Sequence, residues 1–261
     1  MKAFVLRIYW ILSVQFGFDP RKLLRSLRGL PRYLRDLIQF RSGYGGRLEL
    51  LPCLYDRYED GGATRSEYFV QDLLVARMIH GARPDKHLDI GSRVDGFVAH
   101  VASFRAIEVL DIRPISVQIP NVSFRQVDVM SPVEGMDDYC DSMSCLHALE
   151  HFGLGRYGDP VDPSGHERGI ANMARLLKGG GVLYLSVPIG VARVEFNAHR
   201  VFDPRHIISL AGEQRLKLSA LIVISPDGQA AAATCDEAGL SALAERRYSL
   251  GVFVFHKLGQ P

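Results

Sequence analysis

The stretch "HLDIGSRVDGFVAH", residues 87–100, decides the fold. Four residues that read as a strand, Leu88 and Ile90 alternating with His87 and Asp89, end on Gly91, and a helical pattern begins within a few residues. A glycine directly after a strand lets backbone approach a ligand closely, and the helix start beyond it offers unpaired N–H groups. Outward from this unit the same alternation repeats. "AIEVLDI" (106–112), "VSFRQVDV" (122–129), "DSMSCL" (141–146) and "GVLYLSVP" (181–188) read as further strands. A helix is expected around "ERGIANMARLLKGG", stopped by Gly179 and Gly180, and another opens on Asp203 and Pro204. "LKLSALIVIS" and "SLGVFVFHK" supply the last strands, and "SEYFVQDLLVARMIHG" a helix before the first, capped by Ser66 or Thr64. Strands alternating with helices predict an α/β fold built on a mainly parallel sheet.

Composition agrees with a folded chain. Of 261 residues, 47% are hydrophobic and 23% charged, which excludes a disordered class. Cys53, Cys140, Cys145 and Cys235 form no Cys-x-x-Cys pair, which points to reduced thiols and a cytoplasmic setting. Charge is uneven: residues 1–41 carry +7 while the remainder carries −5. The expected division is a basic helical arm, 1–60, and an αβ domain, 61–261, with the boundary between Gly43 and Gly62. The opening "MKAFVLRIYWILSVQFGF" is broken by Arg7 and too short to span a bilayer of ~30 Å. With the basic "PRKLLRSLRGLPRYLRDLIQF" after it, the arm either lies on an anionic membrane surface or packs as a helical pair on the core. The acidic body argues against a nucleic-acid substrate, and the oligomeric state is not legible.

Ligands of open parallel sheets bind beyond the carboxyl ends of the strands. Asp89, Gly91, Asp111 and Asp128 all fall at such ends. A carboxylate at Asp111, about twenty residues after the glycine turn, suits the two hydroxyls of a ribose. Asp128 is placed to meet an adenine amine. Each acid has a plainer reading as a turn former or cap, but their joint placement favours an adenosine-containing cofactor.

These motifs resemble those of class I S-adenosylmethionine-dependent methyltransferases over residues 66–258. The first motif matches "LDIGSRVDG", the second- and third-strand acids match Asp111 and Asp128, and "YCDSMSCLHALEHF" and "LLKGGGVLYLSVP" are similar to the fourth- and fifth-strand motifs. The resemblance implies a Rossmann-like seven-stranded sheet with its last strand antiparallel. It also implies S-adenosylmethionine as cofactor, held by Asp89, Gly91, Ser92, Arg93, Gly96, Asp111, Ile112, Asp128, Val129, Leu146 and His147. The chain departs from the family's glycine pattern by carrying Arg93 and Asp95 where glycines are usual. The whole chain is also similar to a methyltransferase-like family of unassigned function with "DIGSR", "HALEHFGLGRYGDP" and "EFNAHRVF", associated with surface-polysaccharide genes.

"HALEH", 147–151, has the H-x-x-E-H spacing of one zinc-peptidase class, which requires a helix with both histidines on one face. Following directly on a buried strand, it reads instead as a strand exit, and no metal is expected. The long Gly/Pro-rich loop after it places Glu150, Arg156, Tyr157 and Asp159 toward an acceptor, joined by Asn197 and Arg200 from "EFNAHR". Histidines titrate near neutrality, so His151 and His199 are the candidate bases, with Glu195 as orienting partner. The expected reaction is O-methylation of a sugar hydroxyl in a surface glycan or its precursor. The expected partners are therefore a small hydroxylated acceptor and no nucleic acid, with peripheral contact to the inner face of the membrane through residues 1–41. A methyltransferase fold that has become a binding or scaffold protein is the alternative.

Overall fold

The computed structural model describes residues 8–59, 61, 62, 64 and 66–259. It divides into two units, Met1–Ala63 and Thr64–Pro261. In the first, helix α1 runs from Pro20 to Gly43. Asp19 caps it by accepting from the Arg21 amide, and Pro20 takes the first-turn position where its missing N–H costs nothing.

The second unit opens with α2 (Glu67–Ala82), capped by the Ser66 hydroxyl, which accepts from the Phe69 amide. There follow β1 (His87–Ile90), a π-turn (Val94–Val98) running into α3 (Ala99–Ala102), β2 (Ile107–Asp111), β3 (Val122–Gln126) and β4 (Cys140–Leu146). Next come α4 (Gly165–Leu176), β5 (Leu177–Ile189), the short β6 (Arg193–Glu195) and β7 (His199–Val201), and α5 (Pro204–Glu213). The chain finishes with β8 (Leu216–Ile224), β9 (Ala230–Ala232), α6 (Glu237–Ala244) and β10 (Ser249–Lys257).

The main sheet has the order β3-β2-β1-β4-β5-β10-β8-β9. β3 through β5 are parallel, and β10 runs antiparallel to both β5 and β8. The order reverses between β1 and β4, so the crevice for a ligand opens above the ends of those two strands. β1 is buried along its whole length, as a central parallel strand covered on both faces must be. One core gathers Leu88, Ile90, Met143 and Leu185 with α4 and α5; the other packs α2 and α3 on Val109, Tyr184 and Val252.

Two expectations are corrected. The sheet has eight strands rather than seven, because β9 pairs with β8 through a turn at Ser225–Gln229 in which Gly228 has φ +82°. Three exposed alanines carry no strand pattern of their own, so only the "DG" turn marked this hairpin. Gly179 and Gly180 do not stop a helix. The helix ends at Leu176, and the glycines lie inside β5, where the β4 pairing slips register between Cys140 and Ser142.

Candidate functional site

A cleft opens where the switch point predicts. Its floor is Ile90 and Gly91 at the end of β1, residues 110–113 at the end of β2, and residues 127–130 just beyond β3. Its far wall is His147, Ala148, His151, Phe152, Arg156, Tyr157 and Asp159, and Tyr68 of α2 closes one side. Of the expected cofactor residues, Gly91, Arg93, Asp111, Ile112, Asp128, Val129 and His147 line it.

Gly91 makes the turn at φ +68°, and a Cβ added there would lie 2.9 Å from the Ala148 methyl. It is thus the only residue type that fits both the turn and the close approach of the β4 exit. Arg93 needs no such freedom: its φ is −66°, and its guanidinium pairs with Asp95 (Nη2–Oδ2 2.8 Å) at 5.3 Å from the Tyr68 ring. The departure from the glycine pattern therefore leaves the turn intact.

Asp111 carries both of its readings at once. It forms the local turn, accepting from the Arg113 amide at 2.8 Å, and it faces the cleft. The Arg113 side chain also closes on it, donating from Nε (3.0 Å) and Nη2 (2.7 Å), with the guanidinium 4.5 Å from the Tyr157 ring. Asp128 likewise caps its own turn through the Met130 amide (2.9 Å) while lining the cleft.

Four expected cofactor residues stay out of the cleft. Asp89 is fully buried and accepts from Ser92 N (3.1 Å), Ser92 Oγ (2.6 Å) and Ser144 Oγ (2.5 Å). Burial pushes its carboxyl up to about 7, against those hydrogen bonds. Ser92 also accepts from the Leu146 amide, so it ties the glycine turn to β4. Since the Ser144 hydroxyl donates to Asp89, His87 must donate to it from Nε2 (3.0 Å). Burial holds the His87 imidazole neutral, with its pKa lowered to about 3. Leu146 belongs to the core, and Gly96 faces Asp72 of α2, whose Oδ2 would lie 2.5 Å from a Cβ there.

The exit of β4 holds the strongest electrostatics. His147 has φ +53° and stacks on Tyr68 at 4.4 Å. Its Nδ1 donates to Glu150 Oε1 at 2.7 Å, and its Nε2 lies 3.6 Å from Glu67. Burial alone would lower the His147 pKa, but Glu150, Glu67 and Asp72 outweigh it and raise it. Burial would raise that of Glu150, and His147 overrides this and lowers it. The two therefore form a buried ion pair. His147 Nε2 and Glu150 Oε2 have no hydrogen-bond partner. Glu150 lies behind the wall rather than on it, so its expected contact with an acceptor is replaced by this pairing.

Leu149–His151 is a single 3-10 turn, so His147 and His151 do not share the helix face a zinc peptidase needs. His151 Nδ1 donates to the Ala198 carbonyl at 2.7 Å, which leaves the lone pair on Nε2. Burial lowers its pKa, keeping it neutral. Arg156 donates to the same carbonyl (2.7 Å), and Tyr157 meets the His151 ring edge-on at 5.4 Å. Asp159 shapes this loop by accepting from the Gly155 and Tyr157 amides.

The remaining expected residues do not line the cleft. β6 and β7 form their own hairpin, which meets the cleft's wall through the Ala198 carbonyl while Glu195, Asn197 and His199 stay off the lining. Glu195 pairs with Arg193 (2.8 Å) and lies 3.8 Å from His199, whose pKa burial lowers. Arg200 is buried and donates to the carbonyls of Glu150, Phe152 and Pro163, so it holds the loop rather than an acceptor. His166, Glu167 and His206 bring ligand-type atoms within 4.8 Å of one another. They stand at two helix N-termini beside Arg200, where the potential opposes a cation. Sequence reasoning missed Tyr68 and Arg113. The former precedes the motif-bearing region, and the latter was legible only as the second residue after the Asp111 acid.

A family described as "Caenorhabditis protein of unknown function, DUF268" matches residues 100–213. No curated protein matches the sequence. Among solved structures, the chain is similar to the 1,6-didemethyltoxoflavin N1-methyltransferase of Burkholderia thailandensis, solved with S-adenosylhomocysteine. The identity is 15%, covering 81% of this chain and 93% of that one, with a TM-score of 0.54. NodS, an N-methyltransferase of Bradyrhizobium japonicum also solved with S-adenosylhomocysteine, matches at 15% identity over 76% and 89%, with a TM-score of 0.52. The [4+2]-cyclase SpnF matches at 15% identity over 77% and 86%, with a TM-score of 0.54. The chain thus has the Rossmann-like fold of class I S-adenosylmethionine-dependent methyltransferases, extended by β9 at the sheet edge.

Proposed function

We propose that the protein transfers a methyl group from S-adenosylmethionine to a hydroxyl of a small acceptor, with a sugar of a surface glycan or its precursor as the preferred class. The observation that carries this reading is the cleft itself: a glycine turn, two strand-end acids and a neutral histidine meet at the switch point. The residues present fit the cofactor, since Gly91 brings side-chain-free backbone to the cleft and Asp111 and Asp128 both line it. Bound there, the cofactor would supply an electrophilic methyl group. Transfer to oxygen then asks the protein mainly for alignment and exclusion of water.

His151 lines the cleft and keeps the Nε2 lone pair, which takes the hydroxyl proton. Glu150 Oε1, 3.7 Å from that nitrogen, stabilises the imidazolium that results. Arg156 and Tyr157 at the mouth offer donors and a ring face to a polar acceptor. Asp111 meets the ribose once Arg113 shares or releases it.

A second reading, a binding or scaffold protein without transfer, is favoured by the threefold hold of Arg113 on Asp111. The cyclase name of one fold neighbour adds that this fold hosts other chemistry. Calorimetric titration of the full chain with S-adenosylmethionine and S-adenosylhomocysteine separates the two. Saturable binding of both is expected, and no heat from either sinks the enzyme reading. Release of S-adenosylhomocysteine with hydroxylated acceptors, abolished by His151→Ala, completes the test.

A further inference from the structure

We infer that α1, with the apolar segment before it, is an interfacial anchor that lies flat in the headgroup layer of a membrane rich in anionic lipid. Helical projection separates its residues into three stripes. Arg25, Ser26, Gly29, Tyr33 and Leu37 form the covered side, where Gly29 admits the Leu54 carbonyl within touching distance. Lys22 continues this side and lies 5.2 Å from the Tyr55 ring. The helix has therefore turned a mostly polar stripe toward the rest of its own unit.

Its own unit leaves the apolar stripe uncovered. Leu23, Leu27, Leu30, Leu34 and Ile38 are exposed, with Leu27 at 58% and Ile38 at 72%. Trp10, Ile11, Leu12, Phe16 and Phe18 of the preceding segment are exposed as well. An apolar stripe this long costs solubility unless something covers it.

Charge chooses the cover. Arg21, Arg28, Arg32 and Arg35 recur at helical spacing on the side away from the leucines. Among the described residues only Arg32 has a carboxylate partner, Asp36 at 3.6 Å. Leucines on one face and arginines on the other are the pattern of a helix that lies in a membrane surface. A spanning orientation would bury those arginines in hydrocarbon, and no helix among the described residues is long and apolar enough to cross. Each cation near an anionic surface adds about fivefold to partitioning. The inference stands whether or not the cleft binds S-adenosylmethionine.

The test uses the full chain with vesicles of phosphatidylcholine alone and of phosphatidylcholine with one third phosphatidylglycerol. Trp10 is the sole tryptophan, so its emission reports the arm directly. The expected result is sedimentation with the anionic vesicles, weakened by salt, with a blue shift of Trp10 emission. Leu27→Asp with Leu34→Asp should cut binding by about tenfold or more, and Arg28→Glu, Arg32→Glu and Arg35→Glu together should abolish the preference for phosphatidylglycerol. Unchanged circular dichroism outside the arm's helical signal keeps these variants interpretable. Equal sedimentation of parent and leucine variant overturns the inference. So does absence of vesicle binding with a dimer, seen by light scattering, that the leucine variant dissolves, because the stripe then belongs to a second copy.

Discussion

Asp89 and Asp111 end neighbouring parallel strands of the same sheet, and in the sequence they look alike. One is fully buried and accepts from two serines; the other faces the cleft and holds an arginine. Register explains the difference. Asp89 pairs level with Val109 and Ser144, whereas Asp111 stands two positions higher, about 7 Å nearer the rim. At the lower level a carboxylate can only knit strands together. At the rim it can be offered to a ligand.

Asp89→Ala should therefore act on stability. It strands two serine hydroxyls and an amide and should cost about 4 kcal/mol in urea denaturation, while the folded fraction keeps its affinity for S-adenosylhomocysteine. A cost below about 1 kcal/mol would break the contrast.

Glu150→Gln comes next, at about 3 kcal/mol, because it removes the one carboxylate hydrogen-bonded to a buried imidazolium. Its pH dependence carries a sign. Glu150 has its folded pKa lowered from 4.5, so its contribution is complete above 4.5 and lost as pH falls through the folded value. His147 has its folded pKa raised from 6.5, so its contribution is complete below 6.5 and lost as pH rises through the folded value. The gap between parent and variant should be widest between pH 4.5 and 6.5 and narrow on both sides. A gap that is flat with pH would mean the pair is not charged.

Asp111→Asn should lower affinity for S-adenosylhomocysteine roughly 10- to 100-fold by calorimetry, with less than about 1 kcal/mol lost in stability. The reverse outcome, a stability loss at unchanged affinity, would put Asp111 in the class of Asp89. Arg113→Ala is the smallest and the sharpest. Freeing Asp111 should tighten that affinity by about two- to fivefold, a change under 1 kcal/mol. A marked loss would show that Arg113 binds the cofactor itself.

Sequence pattern placed seven of the strands, the glycine turn and the rim acids Asp111 and Asp128, and missed β6, β7 and β9. It could not tell the level of Asp89, because a two-residue difference in height is set by pairing and not by composition. The group Glu195, Asn197 and His199 read as converging on the cleft because it follows β5. The hairpin of β6 with β7 sets its backbone, not these side chains, against the cleft's wall, and two three-residue strands give too little periodicity to announce themselves. Arg200, adjacent in sequence, is instead drawn in by three loop carbonyls, a contact no pattern encodes.

α2 precedes every motif of the sheet, yet it supplies Tyr68 to the cleft, sets Glu67 beside His147, and through Gln71 accepts from the Ser186 hydroxyl. That hydroxyl in turn accepts from the His147 amide at 3.1 Å. A fragment cut to begin at β1 would keep all the strand-end acids and lose Tyr68, Glu67 and Gln71. The smallest heritable piece of this site is thus longer than its motifs, and recombination at the start of the sheet would carry off the acids without the means to use them.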